Sequence, residues 1–245
     1  MRIVLIVQAR MGSTRLPGKS MADLAGHPLL WHVLQRVRRA RSLDAIVLAT
    51  TSKPEDDVLA GVADACGVST FRGSPHDLLD RYYQAAKAFE ADVVLRLPAD
   101  NPVAEPEEFD RIVDFHLTGQ SEFSSNLAQV FENGYPDGIG AEVFNFRDLE
   151  EVWAANSDPR QREHVHLNFF DYASQTPAQP SRFRVGTVQC PEAFRRPDLV
   201  LDVNTPEQYA FMAQLYAHLY PRNPNFHITE IIDWYDHAYR ESAGH

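Results

Sequence analysis

Residues Ile3 to Val7 form an unbroken apolar run of the kind buried on both faces of a parallel sheet, which predicts a first, central strand. Runs of the same kind recur at Ala45 to Ala49, Val68 to Phe71 and Val93 to Leu97, and the stretches between them carry helical spacing. Pro28 opens one helix at its first turn, with Leu29, Leu30, Val33, Leu34 and Val37 on a single face. Pro54 does likewise ahead of Val58, Val62 and Ala65, and Asp77 to Phe89 gives a third helix. Strand and helix alternate. With right-handed crossovers this makes an α/β fold, a doubly wound, mostly parallel sheet whose ligand sits outside the strand C-termini.

Beyond Asn126 the pattern changes. Residues 126–140 hold Gly134, Pro136, Gly138 and Gly140, a loop long enough to be functional or mobile. Ile139 to Phe144 then predicts a strand, Asp148 to Trp153 and Gln161 to Tyr172 two helices, and Arg182 to Val188 an alternating strand. Helices from Pro206 to Tyr220 and from Thr229 to Tyr239 follow. There is no internal repeat or linker, so residues 1–245 read as one domain in which 126–190 form a substrate-side insertion.

Composition narrows the function classes. Of 245 residues, 44% are hydrophobic and 23% charged, an ordinary balance for a globular protein. Ile3 to Val7 is too short to span a bilayer or to serve as a signal-peptide core, which predicts a cytosolic protein without a membrane partner. Two cysteines, Cys66 and Cys190, support neither a disulfide framework nor a cysteine-based zinc site. The net charge of −11 disfavours nucleic acid. Yet residues 1–41 hold eight Lys or Arg against one acid, Asp23, which suits a small anionic ligand near the N-terminus. Arg36, Arg38, Arg39 and Arg41 read as the solvated end of a helix, where cations complement the dipole. Arg10, Arg15 and Lys19 are left as site candidates.

Those three lie in the segment after the first strand, Gln8-Ala9-Arg10-Met11-Gly12-Ser13-Thr14-Arg15-Leu16-Pro17-Gly18-Lys19. Two glycines, two hydroxyls and three cations at a strand's C-terminal end are suited to wrapping N–H groups and charge around phosphates. A nucleoside-triphosphate P-loop is excluded, because five residues rather than four separate Gly12 from Gly18 and Pro17 intrudes. Asp23, Gly26 and Pro28 also interrupt the chain before its helix, and the dinucleotide G-x-G-x-x-G pattern is absent.

Arg10 through Lys19, followed by Leu24-Ala25-Gly26-His27-Pro28-Leu29, resembles the CTP-binding opening of the cytidylyltransferases that activate acidic sugars, the CMP-sialate and CMP-KDO synthetases. Arg72-Gly73-Ser74, Asp77 to Tyr82, Arg96 to Pro102, Tyr135-Pro136-Asp137-Gly138 and Arg162-Glu163-His164-Val165 resemble the spore-coat polysaccharide biosynthesis protein F branch. The resemblance implies a nucleotide-diphospho-sugar transferase sheet. It also implies transfer of CMP from CTP to a small sugar acceptor with release of pyrophosphate, in a homodimer serving surface polysaccharide or glycan synthesis. Residues 126–190 then become an acceptor-side or dimerisation insertion.

The family points to metal-binding aspartates, and two stand out in the sequence. Asp100 follows the strand Val93 to Leu97, on the edge that faces the first loop, and Asp202 lies between an apolar run and the helix opened by Thr205-Pro206. Two such carboxylates with phosphate oxygens suit Mg2+. Turn chemistry is the plainer reading of each, and Asn204 stands where the family commonly has aspartate. Arg10, Arg15, Lys19 and Asp100 are the expected catalytic residues, with charge stabilisation of pyrophosphate on Arg15 and Lys19. Gln8, Ala9, Gly12, Ser13, Thr50, Arg72 and Gly73 complete the expected nucleotide contacts. Tyr135, Asp137, Glu163 and His164 are the expected acceptor contacts. His164 and His166, two residues apart, do not make a zinc helix. Trp153, Phe169, Phe170 and Tyr172 read as core or dimer contacts. The rivals are a sugar-1-phosphate nucleotidyltransferase using another nucleotide and a nucleotide-binding partner without catalysis. The first is disfavoured by Arg10-Met11-Gly12-Ser13 where its opening has paired glycines, the second by Lys19, Asp100 and Asp202.

Overall fold

Strand β1 (Ile3–Gln8) is an interior strand of a seven-stranded sheet, and its alternate residues enter two different cores, Ile3, Leu5 and Val7 on one face and Val4 and Ile6 on the other. Both faces are covered, so the run is apolar without alternation. The computed structural model describes residues 1–127, 129–180 and 182–239. A short ribbon, β2 (Asp23–Leu24) and β3 (His27–Pro28), leads into α1 (Leu29–Val37). Then come β4 (Ala45–Thr51), α2 (Asp57–Ala65), β5 (Ser69–Gly73), α3 (Leu78–Ala88), β6 (Val93–Pro98) and α4 (Pro106–His116). The second half holds β7 (Phe123–Ser125), β8 (Glu142–Asn145), α5 (Phe146–Ala155) and α6 (Pro159–Glu163). Two-residue strands β9 (Phe170–Asp171), β10 (Thr176–Pro177) and β11 (Val185–Gly186) precede α7 (Pro206–Leu219) and α8 (Ile228–Trp234).

The sheet order is β11-β7-β8-β6-β1-β4-β5. β6, β1, β4 and β5 are mutually parallel, whereas β8 runs antiparallel between β6 and β7. The fold is thus α/β with a mostly parallel mixed sheet. Helices α1, α2, α4, α7 and α8 bury their apolar stripes on one face, and α3 and α5 on the other. Asp77 and Thr205 cap α3 and α7 through side-chain oxygens, as their positions before those helices require. Among the described residues no helix is long and apolar enough to cross a membrane.

Several expectations are corrected. Helix α4 was not anticipated, although Pro106 at its start and Phe109, Ile112 and Val113 on one face carry the usual signals. Gln161 to Tyr172 is not one helix. Asn168 donates through Nδ2 to the carbonyls of Gln161 and Val165, each at 3.0 Å, capturing helix-terminal oxygens, and Phe170 passes into strand β9. The strand expected over Arg182 to Val188 shrinks to β11.

Residues 133–140 form a packed rather than mobile loop, buried except at Asp137. A Cβ on Gly140 would stand 2.1 Å from the Asn126 carbonyl oxygen, and one on Gly138, where φ is +97°, would stand 3.0 Å from the Asp202 nitrogen. This stretch therefore packs main chain on main chain. Arg36 is not a solvated helix end either. It is buried, with Nε on the Ala104 carbonyl at 2.8 Å and Nη2 on the Phe226 carbonyl at 3.0 Å.

Candidate active site

The loop after β1 curls because Gly18, at φ +71°, turns the chain into a single 3-10 turn at Lys19–Met21. Its amides are tied locally, Ser13 and Gly18 donating to the Met11 carbonyl at 2.9 and 3.3 Å. Met11 N donates to Asp56 Oδ1 at 2.7 Å, and the Thr51 hydroxyl donates to the other oxygen of that buried carboxylate. Asp56 thus anchors the loop to the end of β4, a role the sequence reading missed. Thr51 is the residue that takes part, whereas Thr50 is fully buried with its hydroxyl unpartnered and does not line the cleft.

A cleft of about 570 Å³ opens beside this loop at the C-terminal ends of β1 and β6. Gln8, Ala9, Arg10, Ser13, Arg15 and Lys19 line it, with Asp100 beside them and Glu163 and His164 opposite. Lys19 Nζ is held by three oxygens: Asp100 Oδ2 at 2.8 Å, the Val203 carbonyl at 3.0 Å and Asn204 Oδ1 at 2.9 Å. Arg15 Nη2 donates to the same Asn204 oxygen at 2.7 Å. The Asn204 amide then donates to Asp202, whose second oxygen accepts from Gln208 Nε2 at 3.1 Å. One asparagine therefore ties both cations to the Asp202 carboxylate. Thr205, the next residue, caps α7 in a capping box with Gln208.

Backbone geometry brings the acids together, for Val203 N donates to the Asp100 carbonyl at 2.8 Å and Leu201 N to that of Asp137 at 3.0 Å. Burial pushes Asp137 up to about 7, helped by the charges of Asp202 and Asp100. Asp202 is raised by burial and then by Asp100. Such a crowd of carboxylates favours a cation. Asp100 and Asp202 are hard oxygen donors, and the oxygens around Lys19 already hold one positive charge, so this donor set fits a hard divalent cation.

At the other end of the cleft, Arg162 Nε binds Asp77 Oδ2 at 2.6 Å and fixes α6 against the start of α3. That places Glu163 and His164 on the wall, where Glu163 lies 3.8 Å from Arg10 Nη2 in an exposed, weak pair. Arg81 and Arg96 also line the cleft and were not anticipated. Arg96 could have been suspected from its place inside an apolar strand.

Other expected contacts lie elsewhere. Arg72 is spent on structure, with Nε on the Thr51 carbonyl at 2.9 Å, Nη2 on that of Lys53 at 2.6 Å and Nη1 on Asp57. Gly73 lies against Phe71 and Arg81, which a Cβ would meet at 2.9 and 3.0 Å. Gly12 is off the cleft wall, beside Glu55. Tyr135 is fully buried, its hydroxyl donating to Glu108 and accepting from Arg111 Nη1 at 3.0 Å, so it belongs to the core rather than to acceptor recognition. Asp137 and Asp202 are not among the residues that line the cleft, but both lie near enough to Asp100 for its charge to raise them.

Residues 4–225 match the cytidylyltransferase family. Spore coat polysaccharide biosynthesis protein SpsF of Bacillus subtilis is 33% identical over 235 residues, covering 94% of this chain and 92% of that one. A cytidylyltransferase structure from Leptospira borgpetersenii superposes with a TM-score of 0.83 at 29% identity, covering 96% of this chain and 94% of the other. CMP-2-keto-3-deoxy-manno-octonic acid synthetase, solved with CTP, shares the fold at a TM-score of 0.64 and 18% identity, covering 89% of this chain and all of that one.

Proposed function

The chain belongs to the cytidylyltransferase family, and from that premise we propose that it transfers CMP from CTP to a sugar acceptor, releasing pyrophosphate, in surface polysaccharide or glycan synthesis. The observation that carries this reading is the convergence of Arg10, Arg15 and Lys19 with Asp100 in one cleft at the C-terminal edge of β1 and β6. Before nucleotide arrives, the charge of Lys19 is absorbed by Asp100 and Asn204, and that of Arg15 by Asn204. A triphosphate entering beside the loop exchanges those contacts for its own oxygens and frees the acids.

Asp100 and Asp202 would hold Mg2+, which when bound supplies Lewis-acid neutralisation of phosphate charge. Lys19 and Arg15 stabilise the charge that develops on departing pyrophosphate, where their effect on rate is greatest. Gln8 and Ala9, at the end of β1, contribute to the nucleotide side. Glu163 and His164 face the acceptor from α6, with Arg81 and Arg96 between the two ends. We place the reaction in the cytosol, where CTP is available, and assign segment 126–190 to acceptor binding or to pairing with a second copy. Two elements of that segment, β8 and β11, are built into the main sheet, and Ala128 and Ser181 within it lie outside the described residues.

The test is pyrophosphate release with each of the four nucleoside triphosphates, Mg2+ and a panel of candidate sugars. A site reading the cytosine amino group through a buried acceptor leaves that acceptor facing a carbonyl when uracil binds, so CTP should exceed UTP by at least about a hundredfold in kcat/KM. Equal use of UTP, or a preference for GTP or dTTP, overturns the assignment of the base.

A further inference from the structure

Arg36, Arg38 and Arg39 line a second cavity of about 420 Å³, with Trp31, Tyr216 and Tyr220. It shares no lining residue with the cleft beside Lys19, and among the described residues no carboxylate lines it. In a chain of net charge −11 a wall of three arginines without acid is not the default surface. Its aromatic side is held in shape by its own packing. Trp31 stacks on His27 with centroids 3.9 Å apart, and the His32 ring lies 4.4 Å from Tyr216 and 5.1 Å from Tyr220. His32 Nε2 is fixed on the Leu24 carbonyl at 2.6 Å and the Tyr216 hydroxyl on that of Pro102 at 2.6 Å.

Arg36 gives the cavity a buried cation whose needs are only partly met. Nε and Nη2 are used on main-chain carbonyls, while Nη1 has no hydrogen-bond partner. Its carboxylate partner, Glu105, is 3.7 Å away and divides its oxygens between Ile228 N and the His227 ring. Nη1 is closed off from solvent, and the guanidinium lies over the Phe226 ring, its carbon 4.8 Å from the ring centroid, so Arg36 sets a fixed positive charge in the wall while the reachable donors are those of Arg38 and Arg39. Arg38 is exposed and Arg39 reaches Asn225 Oδ1 at 3.0 Å, so both stand where an incoming anion can use them.

We propose that this cavity binds a small organic phosphate carrying a planar ring, the ring against Trp31 and Tyr220 and the phosphate on the arginines. Two reachable guanidinium groups, Arg38 and Arg39, beside the fixed charge of Arg36 suit a dianion, which they can meet through paired N–H donors. Rings held by their neighbours suit a flat partner at little ordering penalty. The cavity volume falls in the range of small-molecule sites. The site is separate from the CTP reaction and stands or falls independently of it.

Phenyl phosphate is the probe, titrated into the full-length, 15N-labelled protein. Of the three tryptophans, the indole signal of Trp31 is assigned by its loss in Trp31→Phe. Phenyl phosphate should move that signal saturably, leave Trp153 fixed and bind at least about tenfold more tightly than inorganic phosphate or phenol. Arg38→Glu and Arg39→Glu, at positions that do not support the core, should each weaken binding about tenfold. Lys19→Ala should leave the titration unchanged. A Trp31 signal stationary up to about 10 mM probe overturns the proposal, as does a response indifferent to both charge reversals or abolished by Lys19→Ala. Equal binding of inorganic phosphate overturns the ring slot.

Discussion

Removing the Glu142 carboxylate should be among the most damaging single changes in this protein. Arg96 and Glu142 face each other across β6 and β8, with Nη1 and Oε2 2.7 Å apart and side chains only 7% and 1% exposed. Burial alone pulls the Arg96 pKa down, but the Glu142 charge outweighs it and holds Arg96 above its usual value. Glu142 also accepts from the Tyr172 hydroxyl at 3.0 Å, and Arg96 Nε reaches Gln8 Oε1 at 3.2 Å. Glu142→Ala leaves a buried guanidinium without its counter-ion, which destabilises by about 3–5 kcal/mol, against total stabilities of about 5–15 kcal/mol. With a urea m value of about 3 kcal/mol/M the midpoint should fall by about 1–2 M. Replacing both partners by apolar residues of similar volume, Arg96→Met with Glu142→Leu, removes the stranded charge and should recover most of the loss. Urea unfolding of the two single variants and the double variant is the assay. A Glu142→Ala loss below about 1 kcal/mol, or a double variant as unstable as the sum of its parts, refutes the argument.

Lys19→Ala should weaken CTP and also lower kcat, and Lys19→Arg should restore only part of either, because a planar fork does not replace a point charge among three oxygens; normal steady-state kinetics in both would remove Lys19 from the reaction. Asp100→Asn should abolish pyrophosphate release while calorimetric CTP affinity stays within about tenfold, since phosphate binding is shared among cations and amides; near-normal turnover would refute the metal role. His32, lowered by burial to about 4 from 6.5, is neutral in the fold. Above pH 6.5 it contributes no pH dependence, and between 6.5 and 4 the unfolded chain binds the proton the folded one refuses, so stability falls as pH falls. His32→Gln should therefore flatten the melting-temperature profile in that window, and an unchanged slope would contradict it.

The parallel half of the fold was legible because a strand covered on both faces is built from apolar residues, as Ile3 to Val7 is and as Val93 to Leu97 is apart from Arg96, whose charge is paired with Glu142. The loop after β1 stood out as a candidate site for a similar reason, since glycines, hydroxyls and cations crowd into a few consecutive residues, and several of them line the cleft. What escaped the sequence was everything set by contacts distant along the chain. Asn204 reads as the loss of a family aspartate until its amide is seen between Arg15, Lys19 and Asp202. Tyr135 sits in a family-like motif, yet its partners Glu108 and Arg111 come from α4 and draw it into the core. Arg72 has the composition of a ligand contact, but three bonds to Thr51, Lys53 and Asp57 use up its guanidinium. Arg36 looked like a surface charge because nothing local announces the carbonyls of Ala104 and Phe226 that receive it.

The glycine contacts of the 133–140 loop restrict where this protein can acquire a new preference for its substrates. At Gly140 there is no room for even one carbon beside Asn126, and at Gly138 a carbon would be strained by its φ and pressed on the Asp202 main chain, so the support beneath the acids near Asp100 is written in main chain and resists revision one residue at a time. The opposite bank, carrying Glu163 at the end of a five-residue helix and His164 just past it, presents side chains that can be exchanged without moving a strand. Laboratory selection for altered acceptors should therefore concentrate its accepted changes around α6, and libraries that randomise the glycine loop should return mostly unfolded clones.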